Sequence, residues 1–242
     1  MQRFEFPTLA DAGIVHGFYS RQGGHSSPPF DSLNVGLHVG DDPRQVMKNR
    51  AAIKNDLRQS RLVSARQIHG DRIFHLEVLP HSDLEIEGHD ALISNTPGAL
   101  LMIQQADCQA VFLHDPRQMA IGLVHVGWRG SVANILTKTV AAMGQAFGSQ
   151  AADLQAAISP SLGPCCAEFT NFAQELPADF HAYQTRPNHF DFWAISQDQL
   201  RQAGVKPERI SVAGICTRCN ENFFSYRRAA TTGRFASVIG LG

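Results

Sequence analysis

Residues 100–130, LLMIQQADCQAVFLHDPRQMAIGLVHVGWRG, limit the fold of this chain more than any other stretch. Two runs rich in Ile, Leu, Val and Phe flank Asp115-Pro116-Arg117-Gln118, and Pro116 brings the φ that the second position of a turn needs. The pattern predicts a β-hairpin, which excludes an all-parallel sheet. If His114 faces Met119 across the turn, Cys108 faces His125 further along the ladder. Directly opposed residues have Cβ atoms about 4.5–5.5 Å apart, so a thiol and an imidazole distant in sequence become neighbours. A one-residue slip or a bulge would separate them. After His125, Gly127-Trp128-Arg129-Gly130 leads into a helical pattern over 132–147, carried by Val132, Leu136, Val140, Met143 and Phe147. Arg129 beside that helix start is a candidate anion ligand, because unpaired N–H groups and the helix dipole point to the same place.

A chain of 242 residues accommodates one substantial core, and a single domain over 1–242 is expected. Hydrophobic content of 43% with 18% charged residues marks a folded chain. The net charge of −1 gives no general attraction to nucleic acid or to an anionic membrane, although local basic clusters can still hold phosphate. No segment approaches the about 18 uninterrupted apolar residues of a membrane span, and MQRFEFPTLADAG lacks a basic start followed by an apolar run. A cytoplasmic protein is therefore expected. The five cysteines, an odd number, fit reduced thiols better than a disulfide framework.

Along the chain, residues 15–19 read as a strand followed by a loop with Arg21 and the Gly23-Gly24 pair. Those glycines either bring backbone close to a ligand or simply satisfy a turn. Asn34 lies in a polar loop that fits a substrate contact or an Asx turn. Asp42-Pro43 starts a helix reaching about Arg58, with Val46, Ile53 and Leu57 on its buried face. A strand over 63–68 delivers His69 to an exposed end beside Gly70, residues 81–89 read as an acidic surface loop, and residues 90–93 read as a short strand. Later segments alternate strands (156–159, 210–215, 236–241) with short helical patterns (171–180, 196–203), and no internal repeat appears. The expected fold is α/β, with a mixed, largely antiparallel sheet around the central hairpin and flanking helices.

His69, Cys108 and His125 form a candidate His₂Cys set. Catalytic zinc takes three protein ligands and leaves a fourth position open, which suits donors on separate strand ends. With 11 histidines in the chain, many such triples exist, and a half-buried thiol beside a core-edge imidazole is the bland alternative. The same atoms permit another chemistry, a Cys108 thiolate nucleophile with His125 as base and Asp90 or Asp107 as its orienting group. Asp90 equally suits a carboxylate behind a metal-bound histidine or a loop cap. Cys216-x-x-Cys219 invites a zinc-knuckle reading, but Cys165-Cys166 lacks the spacing of a second pair, so these four are expected to be buried or loop thiols. The arginines of SYRR (Arg227, Arg228) and of TGR (Arg234) are phosphate ligands or solvated charge.

Taken together, SRQGGHSSPPFDSLNVGLHVGDDPRQVMKNR, QIHGD, HDALIS, ADCQAVFLHDP, VHVGWRG, ISPSLGPC and CT..NENFFSYRR..TTGR resemble the laccase-domain family, formerly called multicopper polyphenol oxidases. Its members are described as zinc-dependent purine nucleoside phosphorylases. The resemblance covers nearly the whole chain, and the ADC, GWRG and FFSYRR blocks in that order are highly specific. It departs at His25, where the family commonly has a small apolar residue, and at Val126, where Ala or Gly is usual. Neither position is one of the ligands.

The resemblance places the metal ligands on His69, Cys108 and His125 and implies Zn2+. The same set can hold one copper ion, but with no His-x-His pair in the chain a trinuclear copper cluster has no ligands to draw on. It further implies phosphorolysis of adenosine, inosine, guanosine and methylthioadenosine, with hydrolytic deamination of adenosine. In that reading zinc activates the water of deamination, Arg129, Arg21 and Arg227 hold phosphate, and Asn34 contacts the nucleoside. The zinc deaminases that flip bases combine a His-x-Glu with a Pro-Cys-x-x-Cys, a combination absent from this chain. Two other classes compete: a metal-independent Cys108–His125 thiol amidase, because the family's fold is similar to that of toxin deamidases, and a binding protein without turnover. The sequence does not set the oligomeric state.

Overall fold

The computed structural model describes residues 1–10 and 13–242. Its first half contains strands β1 (Arg3–Phe4) and β2 (Ile14–Tyr19), helix α1 (Pro43–Asp56), and strands β3 (Arg61–Arg66), β4 (Ile73–Leu76), β5 (Leu84–Glu87), β6 (Ala91–Ser94), β7 (Ala99–Gln105), β8 (Gln109–Asp115) and β9 (Ala120–Val126). Then come α2 (Trp128–Val132), α3 (Ile135–Phe147), β10 (Gln155–Ile158), α4 (Phe172–Glu175), β11 (Gln184–Arg186), β12 (His189–Phe190), α5 (Phe192–Gln202), β13 (Ile210–Val212) and β14 (Phe235–Leu241). The class is the expected α/β with mixed pairing around the hairpin. Parallel pairs join β3 to β5 and β7, β4 to β6, and β10 to β13, whereas the hairpin and the remaining pairs are antiparallel.

The strands are divided over two six-stranded sheets, ordered β1-β2-β14-β7-β3-β5 and β13-β10-β8-β9-β6-β4. Side-chain alternation shows how these stack. From the first sheet Val63, Leu101, Ile103 and Ile239 meet Leu92, Phe112, Ile121 and Leu123 of the second in one shared core. The opposite face of the first sheet, with Leu62, Leu100, Met102 and Val238, packs on Ile53 of α1 and Leu57 at its C-terminal end. The opposite face of the second, with Ile93, Val111, Leu113 and Val124, packs on Leu136, Val140 and Met143 of α3 and Leu200 of α5. The layers therefore run helix, sheet, sheet, helix. Strands covered on both faces read as continuous apolar runs, which is why β7, β8 and β9 stand out in the sequence.

Helix α1 forms as expected. Asp42 accepts from Arg44 N–H at its start, Pro43 opens it, and Val46, Ile53 and Leu57 are buried. Three expectations change. Residues 84–87 of the acidic loop form strand β5 at a sheet edge, paired with β3. The helix expected over 132–147 is two helices broken at Asn134, whose φ of 54° is left-handed and whose side chain caps α3 through Thr137 N–H. Val132 thus ends the short α2 and is exposed. The hairpin register also differs: Asp115 pairs with Ala120, and His125 faces Ala110 rather than Cys108. The cause is local. Asp115 stays in the strand and its Oδ1 accepts the N–H groups of Arg117 and Gln118, while Met119 takes a left-handed φ of 47° and closes the loop.

Candidate metal centre and pocket

The register change leaves the site intact, because a shift of two positions keeps every side chain on its face. Cys108 moves from a directly opposed position to the diagonal one, still within reach across the ladder. It lies just before β8, in the Ala106-Asp107-Cys108 corner that carries the chain from one sheet to the other, with Asp107 at a left-handed φ of 86°. His125 is the penultimate residue of β9, and the chain beyond β3 brings His69 to the same end of the sheets. The ligand atoms of His69, Cys108 and His125 all lie within 4.8 Å of one another. Gly127 shows how closely the backbone approaches them: a Cβ there would stand 3.0 Å from His69 Cδ2 and 3.1 Å from Cys108 Sγ.

Asp90, fully buried, organises this corner. Its Oδ1 accepts from His69 N–H (2.9 Å) and faces His125 Nδ1 (2.8 Å), while Oδ2 accepts from Ile68 and Gly70 N–H at 3.2 and 2.8 Å. These bonds hold His69 at its left-handed φ of 60° and leave His125 Nε2 for the site. Without metal, Cys108 and His125 shift together. Burial opposes the thiolate, yet the positive His125 and hydrogen bonds from His125 and His69 hold the thiol below its ordinary range. Burial likewise opposes the imidazolium, but Cys108 and Asp90 hold His125 above its own. The site favours ligand-ready sulfur.

His69, Cys108 and His125 open into a pocket of about 460 Å³, within the range of small-molecule sites. Trp128, Phe169, Phe192 and the 58% exposed Tyr226 supply aromatic surface. Arg66, Arg227 and Arg234 supply positive charge. Arg227 is anchored by its Nη1 on the carbonyls of Cys166 and Glu168 and by its backbone N–H on Asp107 Oδ2. Gln105 also lines the pocket, and its buried Oε1 has no hydrogen-bond partner, whereas its amide nitrogen donates to Ser159. These residues combine a His/Cys cluster with the geometry to hold a metal ion, an aromatic surface and a positively charged wall.

A family model described as multi-copper polyphenol oxidoreductase laccase matches residues 15–242. The chain belongs to this laccase family. Among its relatives, the purine nucleoside phosphorylase YfiH of Shigella flexneri is 36% identical over 237 residues, covering 95% of this chain and 94% of that protein. The purine nucleoside phosphorylase YlmD of Bacillus subtilis is 33% identical over 248 residues, covering 94% and 88%. The crystal structure of YlmD from Geobacillus stearothermophilus superposes with a TM-score of 0.88 at 33% identity, covering 98% of this chain and 94% of that one.

Against this laccase-family frame, the residues singled out in the sequence divide. His69, Cys108, His125 and Arg227 line the pocket, and Asp90 stands behind His125. Three others lie elsewhere. Arg21 binds Asp31, covers the Phe224 ring at 4.8 Å and lines a separate concavity with Arg228. Arg129 is exposed, stacked 4.4 Å over Trp128, and the helix behind it is the five-residue α2 rather than a long dipole. Asn34 is wholly buried; its amide donates to Asp41 and Gly36 and its oxygen accepts from Gly36 and Arg234 N–H. It positions Arg234 rather than reaching the pocket. His25 is exposed and joins neither His/Cys group found among the described residues. Asp107, weighed as a partner for His125, instead accepts from Thr217 and Arg227.

Arg66, Gln105 and the aromatic wall went unrecognised in the sequence. Trp128 and Tyr226 stood within GWRG and FFSYRR, but only the folded loops bring those two motifs to one cavity.

Proposed function

We propose that this protein is a purine nucleoside phosphorylase working on adenosine, inosine, guanosine and methylthioadenosine, with adenosine deamination as a second reaction of the same pocket. The observation that carries the reading is the joint lining of one cavity by the His69–Cys108–His125 centre, four aromatic rings and three arginines. The names of the relatives, purine nucleoside phosphorylases, support the coarser part of it. The donor set fits Zn2+, with copper as an alternative occupant: two imidazoles and a thiol whose charged form is favoured, one imidazole oriented by a carboxylate. When bound, the ion supplies Lewis acidity and lowers the pKa of water at the pocket floor.

The chain's own residues do the rest. The aromatic wall takes the flat purine by stacking, and Tyr226 at the exposed rim can close over it. Arg227 and Arg234 hold phosphate so that one of its oxygens faces the anomeric carbon as the glycosidic bond breaks, and the charge-assisted bonds keep that oxygen in place. The orphaned Gln105 oxygen accepts a hydrogen bond from an N–H of the base. The older oxidase name asks for more histidine than is gathered here: of the two His/Cys groups among the described residues, one contains histidine and the other is cysteine only.

A second reading, a Cys108–His125–Asp90 thiol amidase, is favoured by the thiolate–imidazolium balance of the metal-free site. One experiment separates them. Metal-replete protein is supplied with adenosine, with and without phosphate, before and after chelation. Phosphate-dependent release of adenine, lost on chelation and restored by Zn2+, supports the phosphorylase. A chelator-resistant amidase activity abolished by thiol alkylation supports the alternative.

A further inference from the structure

The mechanism leaves four of the five cysteines unused, and the structure brings all four together. Cys165 and Cys166 follow β10, whereas Cys216 and Cys219 follow β13. These strands are parallel neighbours, so their loops leave the sheet at the same end, and pairing continues to a bridge between Ser161 and Cys216. Gly163 begins a turn whose carbonyl accepts from Cys166 and Ala167 N–H, which lets two adjacent cysteines serve one centre despite their lack of spacing. The four are the free buried or loop thiols expected, with Cys166 and Cys216 buried and Cys165 and Cys219 exposed, and the fold gathers them in one cluster.

The four sulfurs lie within 4.8 Å of one another. Cys219 Sγ stands 3.7 Å from Cys165 Sγ and 3.5 Å from Cys166 Sγ. A tetrahedral zinc with Zn–S bonds of about 2.3 Å spaces its sulfurs about 3.8 Å apart. All the cysteines are free, and joining a pair as a disulfide would need an oxidant that nothing in the structure supplies.

We propose that Cys165, Cys166, Cys216 and Cys219 form a second, structural zinc site, closed by four thiolates and separate from the His69–Cys108–His125 centre. Zn2+ displaces the thiol protons on binding, and no electron transfer is involved. The surroundings suit such a group. Backbone N–H groups of Gly163, Cys219 and Arg218 point at the Cys216 sulfur. Zinc with four thiolates carries net negative charge, and three guanidinium groups face it: Arg218 lies 3.7 Å from Cys166 Sγ, Arg186 donates to Cys165 O and Arg227 to Cys166 O.

The site also has work to do. The loops it would staple present Leu162, Ala167 and Phe169 to the pocket, anchor Arg227, and carry Thr217, which holds Asp107. An ion here fixes the wall of the nucleoside pocket without touching the reaction.

The test is metal analysis of untagged Cys108→Ala protein purified under reducing conditions, with wild type and the double variant Cys216→Ser/Cys219→Ser alongside. Wild type should hold about two zinc ions per chain and Cys108→Ala about one. Cobalt substitution of Cys108→Ala should give the intense charge-transfer and red d–d bands of a tetrahedral tetrathiolate. The double variant should retain about one zinc per chain, at the histidine-containing centre, and unfold at lower temperature. A Cys108→Ala protein that folds without metal, binds no cobalt and exposes four reagent-reactive thiols overturns the proposal, as does an oxidised pair among the four. None of these readouts passes through nucleoside turnover, so this proposal can fail while the phosphorylase reading stands, or the reverse.

Discussion

Asp90→Asn separates the organising carboxylate from the bulk of its side chain. Each of its oxygens serves two donors: Oδ1 faces His69 N–H and His125 Nδ1, and Oδ2 faces Ile68 and Gly70 N–H. An asparagine keeps one oxygen and places an NH₂ at the other, so in this fully buried site the NH₂ meets either His69 N–H, with His125 switching tautomer to accept, or both Ile68 and Gly70 N–H. An unsatisfied buried donor costs about 1–3 kcal/mol, which sets the loss in folding stability at about 1–3 kcal/mol. Urea unfolding of the metal-free protein measures it. Metal affinity should fall about 10–100-fold, as expected when the partner behind a histidine ligand is weakened. That is about 1.4–2.7 kcal/mol, read by competition with a chromophoric chelator. A variant with wild-type unfolding midpoint and wild-type metal affinity would refute the role assigned to Asp90.

Three further outcomes follow from the geometry. Burial would raise the Glu85 carboxyl, but Arg50 with His38 and Ser64 holds it below its ordinary 4.5, so its contribution is complete above that pH and is lost as pH falls through the lowered folded value. Glu85→Gln should flatten that part of an acid-unfolding curve and, by leaving the Arg50 charge buried, cost about 3 kcal/mol at neutral pH. Gly127→Ala pushes a methyl against His69 and Cys108, so metal affinity in the chelator competition should drop while urea stability of the metal-free protein stays within about 1 kcal/mol of wild type. Arg234→Gln should raise the phosphate KM about tenfold or more, consistent with the loss of a charge-assisted bond, whereas Arg129→Gln, outside the pocket, should leave it nearly unchanged; equal effects would return Arg129 to the phosphate site.

Much of the site was legible because local rules agree with the fold. Pro116 and the apolar runs announce the hairpin, Asp42-Pro43 announces α1, and the period of two makes the Cys108–His125 relation robust to a register error of two. Other features rest on tertiary placement. The division of the strands over two sheets depends on the corner at Asp107, whose left-handed backbone no sequence rule requires of an aspartate. Arg21 and Arg129 fit an anion site by sequence, but Asp31 and Trp128 hold them elsewhere, while Arg66 and Arg234 reach the pocket from segments far apart in the chain. Cys165-Cys166 looked unfit for metal by spacing, a criterion that assumes both pairs sit on similar knuckles; the parallel pairing of β10 and β13 supplies the second half of the cluster instead. No helix among the described residues is long and apolar enough to cross a membrane.

If the His69–Cys108–His125 centre serves phosphorolysis of a purine nucleoside, zinc-loaded wild type releases adenine and ribose 1-phosphate from adenosine in a way that Cys108→Ala does not, and a phosphate titration of both proteins reads this. Equimolar products that saturate with phosphate are expected from wild type, with a fall of at least about a hundredfold in the variant. Undiminished release by Cys108→Ala, or wild type fully loaded with zinc and inert toward every purine nucleoside offered, would contradict that role of the centre.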